Sequence, residues 1–222
     1  LLKKAPHLIH PMRFIMPHRP QLHPAWLIRT GLFFYDHLGK RKKLSGSNNV
    51  YFKADSPLNA AITRGFEYSD CAVDDARLVV LNAMHAREKG AEIMTRTRCV
   101  SARREGSLWV VDLENVNGQF QIKAKALVNA AGPWVAKFIQ QDLQLQSPYG
   151  IRLIQGSHII VPKLYDGEKA FIMQNDDRRI VFAIPYLDHY TMIGTTDREY
   201  QGDPAQVEIT QDEIDYLLKV SN

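Results

Sequence analysis

The chain has 222 residues, 45% of them apolar and 23% charged, so it is long enough to fold around a core. This composition excludes a disordered chain, and no run of about 18 apolar residues predicts a membrane span. The net charge of +4 is unevenly spread, because residues 1–50 hold nine basic residues and one acid, a net +8, and residues 51–222 therefore carry −4.

The first segment is rich in Pro and His, which predicts short helices, extended pieces and turns rather than one continuous helix. Its four histidines are separated by three, eight and five residues, and these intervals match no helical or zinc-finger ligand pattern. We therefore expect no metal site among them. The histidines are His7, His10, His18 and His23.

A helix with an apolar, aromatic-rich face is predicted over residues 26–38, followed by four basic residues at 40–43. Such a helix suits a membrane interface, where aromatic rings lie among lipid headgroups and lysines meet anionic lipid. A core helix followed by a basic loop fits the same pattern. The apolar periodicity leaves both interpretations open.

Residues 51–145 alternate between strands and helices. Asp74 is the predicted cap of a helix over residues 75–89, and Asn117-Gly118 predicts a hairpin turn. A buried strand over residues 126–132 is predicted to run through a glycine turn into a helix that opens at Pro133. The other predicted strands are 50–52, 65–68, 92–97, 100–103, 108–113 and 120–124.

Residues 146–222 show a different pattern of predicted elements from residues 51–145. Strands are predicted at 151–161, 170–174, 179–185 and 190–194 with no helix among them, which indicates an antiparallel sheet. Thr210 and Glu213 form a capping box for a final helix. The predicted fold class is therefore α/β plus α+β, with domains 1–50, 51–145 and 146–222.

The glycine turn is the first candidate site. It comprises Asn129-Ala130-Ala131-Gly132-Pro133-Trp134, in which small residues allow a ligand to approach the backbone closely. Open α/β sheets bind ligands at such strand ends, and the following helix leaves amide groups free. A tight connection without a ligand is the alternative.

Several segments in a fixed order carry a resemblance to a known family. They are YSDC at 68–71, VDDARL at 73–78, LVNAAGPW at 127–134, GSHIIVP at 156–162 and IGTTD at 193–197. Together with PHRP at 17–20 and YDHLGKR at 35–41, this ordered set resembles the aerobic, FAD-dependent glycerol-3-phosphate dehydrogenases, which belong to the D-amino-acid-oxidase-like flavoproteins. The resemblance covers essentially the whole chain.

The resemblance implies a partial FAD-binding Rossmann-like domain and an antiparallel-sheet substrate domain. It also implies oxidation of sn-glycerol 3-phosphate to dihydroxyacetone phosphate, with the electrons passed to a membrane quinone. In this picture Ala130, Ala131, Gly132 and Trp134 line the FAD, and Cys99, in a loop after the strand at 92–97, meets the adenine through its backbone. From the residue type alone, Cys99 fits a small buried apolar position equally well.

One family feature is absent, since the thirteen glycines never fall in the GxGxxG spacing of an FAD pyrophosphate turn. The chain starts at Leu1 and ends on a helical pattern. We therefore expect an internal piece of a longer enzyme, with little activity of its own. The main phosphate-binding arginines are then expected outside it, and surface ion pairs are expected for Arg152, Arg179 and Arg198.

His158 is the candidate catalytic residue. A lone histidine beside apolar residues is more often a satisfied core group, but the resemblance assigns His158 to the removal of the substrate hydroxyl proton as hydride leaves carbon. A neutral imidazole suits that task at physiological pH. The expected location is the cytoplasm, at the inner face of the membrane, with residues 26–43 touching the membrane surface.

Two other functions stay open at this point. One is a different FAD-dependent oxidase of the same superfamily, acting on an amine or hydroxy acid. The other is a non-enzymatic, membrane-associating module carried by residues 26–43. Nucleic-acid binding is not expected, because residues 51–222 are negatively charged and no nucleic-acid-binding motif occurs.

Overall fold

The computed structural model describes residues 2–3, 5–38, 43–53 and 55–221. The strands are β1 (Ile9–Pro17), β2 (Asn48–Tyr51), β3 (Arg64–Val73), β4 (Arg98–Glu105), β5 (Leu108–Asn115), β6 (Gly118–Ala124), β7 (Leu153–Gln155), β8 (His158–Pro162), β9 (Ala170–Gln174), β10 (Ile180–Tyr186), β11 (Tyr190–Gly194) and β12 (Arg198–Tyr200). The α-helices are α1 (Ala25–His37), α2 (Asp75–Glu88), α3 (Val135–Lys137) and α4 (Gln211–Ser221). A 3₁₀ turn (Gly132–Trp134) precedes α3, a π-helical turn (Phe138–Asp142) follows it, and a further 3₁₀ turn lies at Pro204–Gln206.

The chain divides into two compact units. Unit 1 comprises Leu1–Leu78, Gln155–Arg198 and Glu208–Asn222, and unit 2 comprises Val79–Ile154 and Glu199–Val207. These units differ from the predicted domains 1–50, 51–145 and 146–222. The reason is strand pairing between distant segments, since β1 pairs with β3 on one side and with β9 on the other.

Unit 1 is built on a seven-stranded sheet in the order β2-β3-β1-β9-β10-β11-β8. The β1–β9 pairing is parallel, and the pairings between β9, β10, β11 and β8 are antiparallel. The antiparallel sheet predicted from residues 151–194 is therefore confirmed. The single predicted strand 151–161 is divided into β7 and β8 at Gly156 and Ser157.

The Pro- and His-rich segment contributes β1 to the interior of this sheet, which the sequence did not indicate. Pro11 and Pro17 lack the N–H that a ladder needs. However, β9 pairs only with Phe14 and Ile15, so both prolines lie outside the stretch of β1 that has strands on both sides. The prolines therefore remove few hydrogen bonds from the sheet.

The apolar core of unit 1 has one cluster where α4 packs on the sheet. Leu217 of α4 lies with Val181 and Ile193, and all three side chains are fully buried. A second cluster is formed by Ile15, Phe171 and Ala183. The contacts of Leu217 fix α4 against β10 and β11.

Unit 2 contains a three-stranded antiparallel sheet in the order β4-β5-β6. The predicted turn at Asn117-Gly118 is confirmed, because Asn115 pairs with Gly118 and Gly118 has a φ of +113°, a conformation that glycine tolerates best. Ala102, Val111 and Leu113 form the buried cluster of this sheet, with Leu127 packed against it.

Two predicted strands are wrong. Residues 92–97 form no strand, and the ladder of β4 begins only at Arg98. Residues 126–132 are also irregular, and Val128, predicted to be buried, is 83% exposed. A strand exists by pairing with a neighbour, and no strand among the described residues pairs with residues 126–131. The apolar composition of this segment predicted a buried strand, but a strand forms only where a neighbouring strand pairs with it.

The two longer predicted helices in the first half are confirmed. Asp74 caps α2, since its Oδ1 accepts a hydrogen bond from Arg77 N at 3.0 Å. In α1 only Leu32 is buried, and four large apolar side chains are exposed, with a fifth at Leu38 directly after the helix. The predicted basic run after α1 lies mostly outside the described residues, which resume at Lys43. None of the helices among the described residues is long and apolar enough to cross a membrane.

Candidate functional site

A cavity of about 670 Å³ lies in unit 2, between the sheet β4-β5-β6 and the chain that follows it. Four of the five predicted cofactor-binding residues line it, namely Cys99, Ala130, Ala131 and Trp134, and Gly132 lies between the last two in the chain. The other lining residues are Arg98, Val111, Leu113, Ile122, Ala124, Ala126, Leu127, Val128, Asn129, Lys137, Phe138 and Asp142. Such a volume with mostly apolar walls is typical of small-molecule sites.

The glycine turn is held in shape by its own hydrogen bonds. Asn129 Nδ2 donates to Val135 O at 3.0 Å, and Asn129 Oδ1 accepts from Ala131 N at 3.2 Å. Gly132 has a φ of +55°, and a Cβ there would meet no atom within 4 Å. The backbone conformation therefore favours glycine at this position, and space is open at its Cα.

Three charged side chains at the cavity were missed by the sequence reasoning. Arg98 begins β4, and Lys137 and Asp142 lie in the helical segment after the glycine turn. No local motif marks them, because they are brought to one cavity only when β4 and the helical segment pack together. Two cations beside apolar walls suit a ligand that combines an aromatic ring with phosphate.

Cys99 lies within β4 rather than in a loop, which corrects its predicted position. The register between β4 and β5 shifts between Cys99 and Ser101, so the ladder is interrupted there. Burial, and then the nearby carboxylates Asp142 and Asp112, raise the pKa of the Cys99 thiol. The raised pKa disfavours the nucleophilic thiolate, and the side chain of Cys99 lines the cavity.

His158 lies in unit 1 as the first residue of β8, the edge strand of the seven-stranded sheet. It is exposed, and it is paired in register with Gly194 of β11. A Cβ at Gly194 would overlap the imidazole ring, so the absent side chain provides the space in which the ring lies. The imidazole is thus accessible and held against the backbone.

The predicted surface ion pairs are found for two of the three arginines. Arg152 lies 3.3 Å from Glu199, and Arg179 lies 2.7 Å from Asp177 with its guanidinium over the Tyr216 ring. The prediction stays open for Arg198. Within the described ranges, no group of three or more His, Cys, Asp or Glu side chains is arranged to hold a metal ion.

Known proteins similar to this chain include dehydrogenases, and its sequence matches one oxidoreductase family. All of residues 1–222 match the family FAD dependent oxidoreductase. The chain is 70% identical to a glycerol-3-phosphate dehydrogenase of Pseudomonas aeruginosa, 57% to an aerobic glycerol-3-phosphate dehydrogenase of Escherichia coli and 51% to a D-erythritol 1-phosphate dehydrogenase of Brucella abortus. Each match covers 100% of this chain but only 44% or 45% of the relative.

A solved structure supports the fold. The glycerol-3-phosphate dehydrogenase from Bacillus halodurans, complexed with FAD, superposes with a TM-score of 0.75 at 25% identity, covering 100% of this chain and 41% of that one. The predicted fold class, which combines an α/β flavin portion with an antiparallel-sheet portion, is confirmed by this likeness.

Proposed function

The chain belongs to the FAD dependent oxidoreductase family, and from that premise we propose that it forms part of a dehydrogenase that oxidises sn-glycerol 3-phosphate to dihydroxyacetone phosphate. The electrons then pass to a membrane quinone. The names of relatives that are 70% and 57% identical over the whole chain support the substrate. Because the chain spans less than half of each relative, activity is to be measured on a protein of the relatives' length that contains residues 1–222, called the full-length protein below.

The observation that carries the cofactor assignment is the cavity of unit 2. Cys99 is distant in the sequence from Ala130, Ala131 and Trp134, yet all four residues line the same 670 Å³ space. The register shift at Cys99 interrupts the ladder and leaves backbone groups available to a ring with donors and acceptors. Open space at Gly132 permits close approach to the backbone.

These features fit one half of FAD. We assign Cys99, Ala130, Ala131, Gly132 and Trp134 to its binding, with Arg98 and Lys137 offering positive charge. The predominantly apolar walls exclude water from a bound ring. When bound, FAD supplies the acceptor for the hydride that leaves the substrate carbon.

The proposed role of His158 follows from its exposure and its chemistry. Oxidation of a secondary alcohol releases a hydride from carbon and a proton from oxygen, and the product is a ketone. The imidazole of His158 accepts that proton, because a neutral ring nitrogen is a general base near neutral pH. Gly194 leaves the ring free to face a substrate.

The enzyme proposal is tested by flavin reduction. FAD-loaded full-length protein is mixed without oxygen with sn-glycerol 3-phosphate, with D-erythritol 1-phosphate or with an amino acid, and the absorbance of oxidised flavin is followed. We expect the fastest bleaching with glycerol 3-phosphate and none with the amino acid. If D-erythritol 1-phosphate bleaches the flavin faster, the preferred substrate is that compound, which the name of the 51% identical relative contains. Bleaching by the amino acid alone would contradict the proposal.

We also propose that α1 rests on the cytoplasmic face of the membrane, where it brings the enzyme to its quinone. In α1, Trp26 is 69% exposed, Phe34 is 64% exposed, and Leu27 and Phe33 are about half exposed; Leu38, directly after the helix, is 82% exposed. Soluble proteins rarely expose so many large apolar side chains within one short segment of the chain. The net +8 of residues 1–50 favours anionic lipid.

The membrane proposal is tested by co-sedimentation of the full-length protein with anionic liposomes. The Phe33→Asp/Phe34→Asp variant places two charges on the exposed face, and we expect it to remain in the supernatant. The matched control is Val116→Asp/Leu187→Asp, which charges two exposed residues outside α1 and is expected to sediment like the wild type. Equal sedimentation of all three proteins would remove the membrane role of α1.

A further inference from the structure

The carboxylate of Glu213 makes more contacts than its helix requires. Glu213 is 5% exposed and lies in the first turn of α4. Its Oε2 accepts hydrogen bonds from the backbone N and the Oγ1 of Thr210, both at 3.0 Å, which completes the predicted capping box. These contacts satisfy the helix end. Oε2 also accepts a hydrogen bond from Gln155 Nε2 at 3.0 Å, and the second oxygen, Oε1, binds side chains of other segments.

Oε1 of Glu213 joins the two segments that meet at His158. Ser157 Oγ donates to it at 2.9 Å and Thr196 Oγ1 donates at 2.7 Å. Ser157 immediately precedes His158. Thr196 lies two residues after Gly194, and the imidazole lies against Gly194. One buried carboxylate therefore holds both the segment that carries the imidazole and the segment beneath it.

The two segments are also bound to each other. Ser157 N donates to Thr196 Oγ1 at 2.9 Å, and Thr196 N donates to Ser157 O at 3.2 Å. Burial raises the pKa of Glu213, but hydrogen bonds from Thr196, Thr210 and Ser157 outweigh it and leave that pKa below the usual value. An ionised carboxylate only accepts hydrogen bonds, so it fixes the direction of both hydroxyls.

We propose that Glu213 is a positioning residue that holds His158 where it accepts the substrate proton. The carboxylate acts through Ser157 and Thr196, by keeping the start of β8 and the end of β11 in one arrangement. This inference rests on the proposed function, in which His158 is the base. A helix cap alone would stabilise α4 without affecting the reaction, whereas displacement of a base by about 1 Å costs about 100-fold in rate.

The experiment measures flavin reduction by glycerol 3-phosphate in stopped flow with FAD-loaded full-length protein. We expect Glu213→Ala to lower the limiting reduction rate by about 100-fold while the substrate Kd changes less than about threefold. Glu213→Gln, which keeps the shape and one acceptor, is expected to lose less, about tenfold. Because glutamine keeps the shape of the side chain, this variant still tests the proposal if the alanine variant does not fold.

Two controls separate positioning from general stability. Thr210→Ala weakens the helix cap but leaves both contacts of Oε1 in place, and Glu67→Gln removes another partly buried carboxylate of unit 1. We expect both variants to lower the urea midpoint of unfolding and to keep the limiting reduction rate of the wild type. An equal rate loss in either control would overturn the positioning role.

The double variant His158→Asn/Glu213→Ala decides whether Glu213 acts through His158. If it does, the second substitution adds little to the rate loss of His158→Asn alone. Fully additive losses, or an unchanged rate in Glu213→Ala, would overturn the inference while His158 stays the base. An unchanged rate in His158→Asn would instead refute the proposed function, and the positioning role with it.

Discussion

Glu67 of β3 is the carboxylate whose ionisation should most affect the stability of unit 1. Its Oε2 lies 2.9 Å from the guanidinium of Arg13, and its Oε1 lies 2.8 Å from Lys169 Nζ. The hydrogen bond from Arg13, with a further one from Lys169, outweighs burial and lowers the pKa of Glu67 from 4.5 to about 2. The carboxylate ties β3 to β1 and to the segment before β9.

The perturbation is Glu67→Gln, which keeps the size of the side chain and removes its charge. A carboxyl pKa lowered from 4.5 to about 2 corresponds to about 3 kcal/mol if the effect is felt in full. Lys169 is 55% exposed, so water screens its part of the interaction. We therefore expect Glu67→Gln to lower the free energy of unfolding by about 1–2 kcal/mol near neutral pH.

The pH dependence has a definite sign. A carboxyl group whose pKa is lower in the folded state stabilises the fold above its unfolded pKa, and this contribution is lost as the pH falls from 4.5 toward about 2. The difference between wild type and Glu67→Gln should therefore be constant from about pH 6 to about pH 8 and shrink below about pH 4.5.

The assay is urea unfolding of the full-length protein at about pH 7 and about pH 3.5. Glu105→Gln is the matched control, because Glu105 pairs with Arg103 at an exposed position and should cost less than about 0.5 kcal/mol. Equal losses for Glu67→Gln at both pH values, or a loss no larger than that of Glu105→Gln, would refute the reasoning.

Three further predictions concern the core, the glycine turn and the cavity. Leu217→Ala should cost about 2–5 kcal/mol in urea unfolding because Leu217 is fully buried, whereas Leu218→Ala, at an exposed position of α4, should cost much less. Gly132→Ala should cost about 1 kcal/mol because of its positive φ, although a Cβ would meet nothing, whereas Gly31→Ala inside α1 should stabilise by about 0.5–1 kcal/mol. Trp134→Ala should weaken FAD binding by about tenfold in a fluorescence titration while Trp134→Phe keeps most of the affinity; equal affinities would remove Trp134 from the cofactor site.

The elements that the sequence predicted well are those with a local cause. Asp74 caps α2, Thr210 and Glu213 form a capping box, and Gly118 takes the positive φ of a hairpin turn. Each of these signals acts within a few residues, so no tertiary contact is needed to find it. The apolar character of residues 126–132 was also detected, but burial and strand pairing did not follow from it.

The sequence by itself determined the candidate residues of the site, because the glycine turn and His158 lie in motifs of fixed order and the family resemblance carried by those motifs implied Cys99. Only the tertiary structure decided that Cys99 and the glycine turn share a cavity with Arg98 and Lys137. Tertiary structure also decided that Glu213, a helix-cap residue in the sequence, binds residues 17 and 56 positions away in the chain. The physical reason is range: capping and turn propensities act between neighbours, whereas strand pairing and buried hydrogen bonds join segments that only the fold brings together.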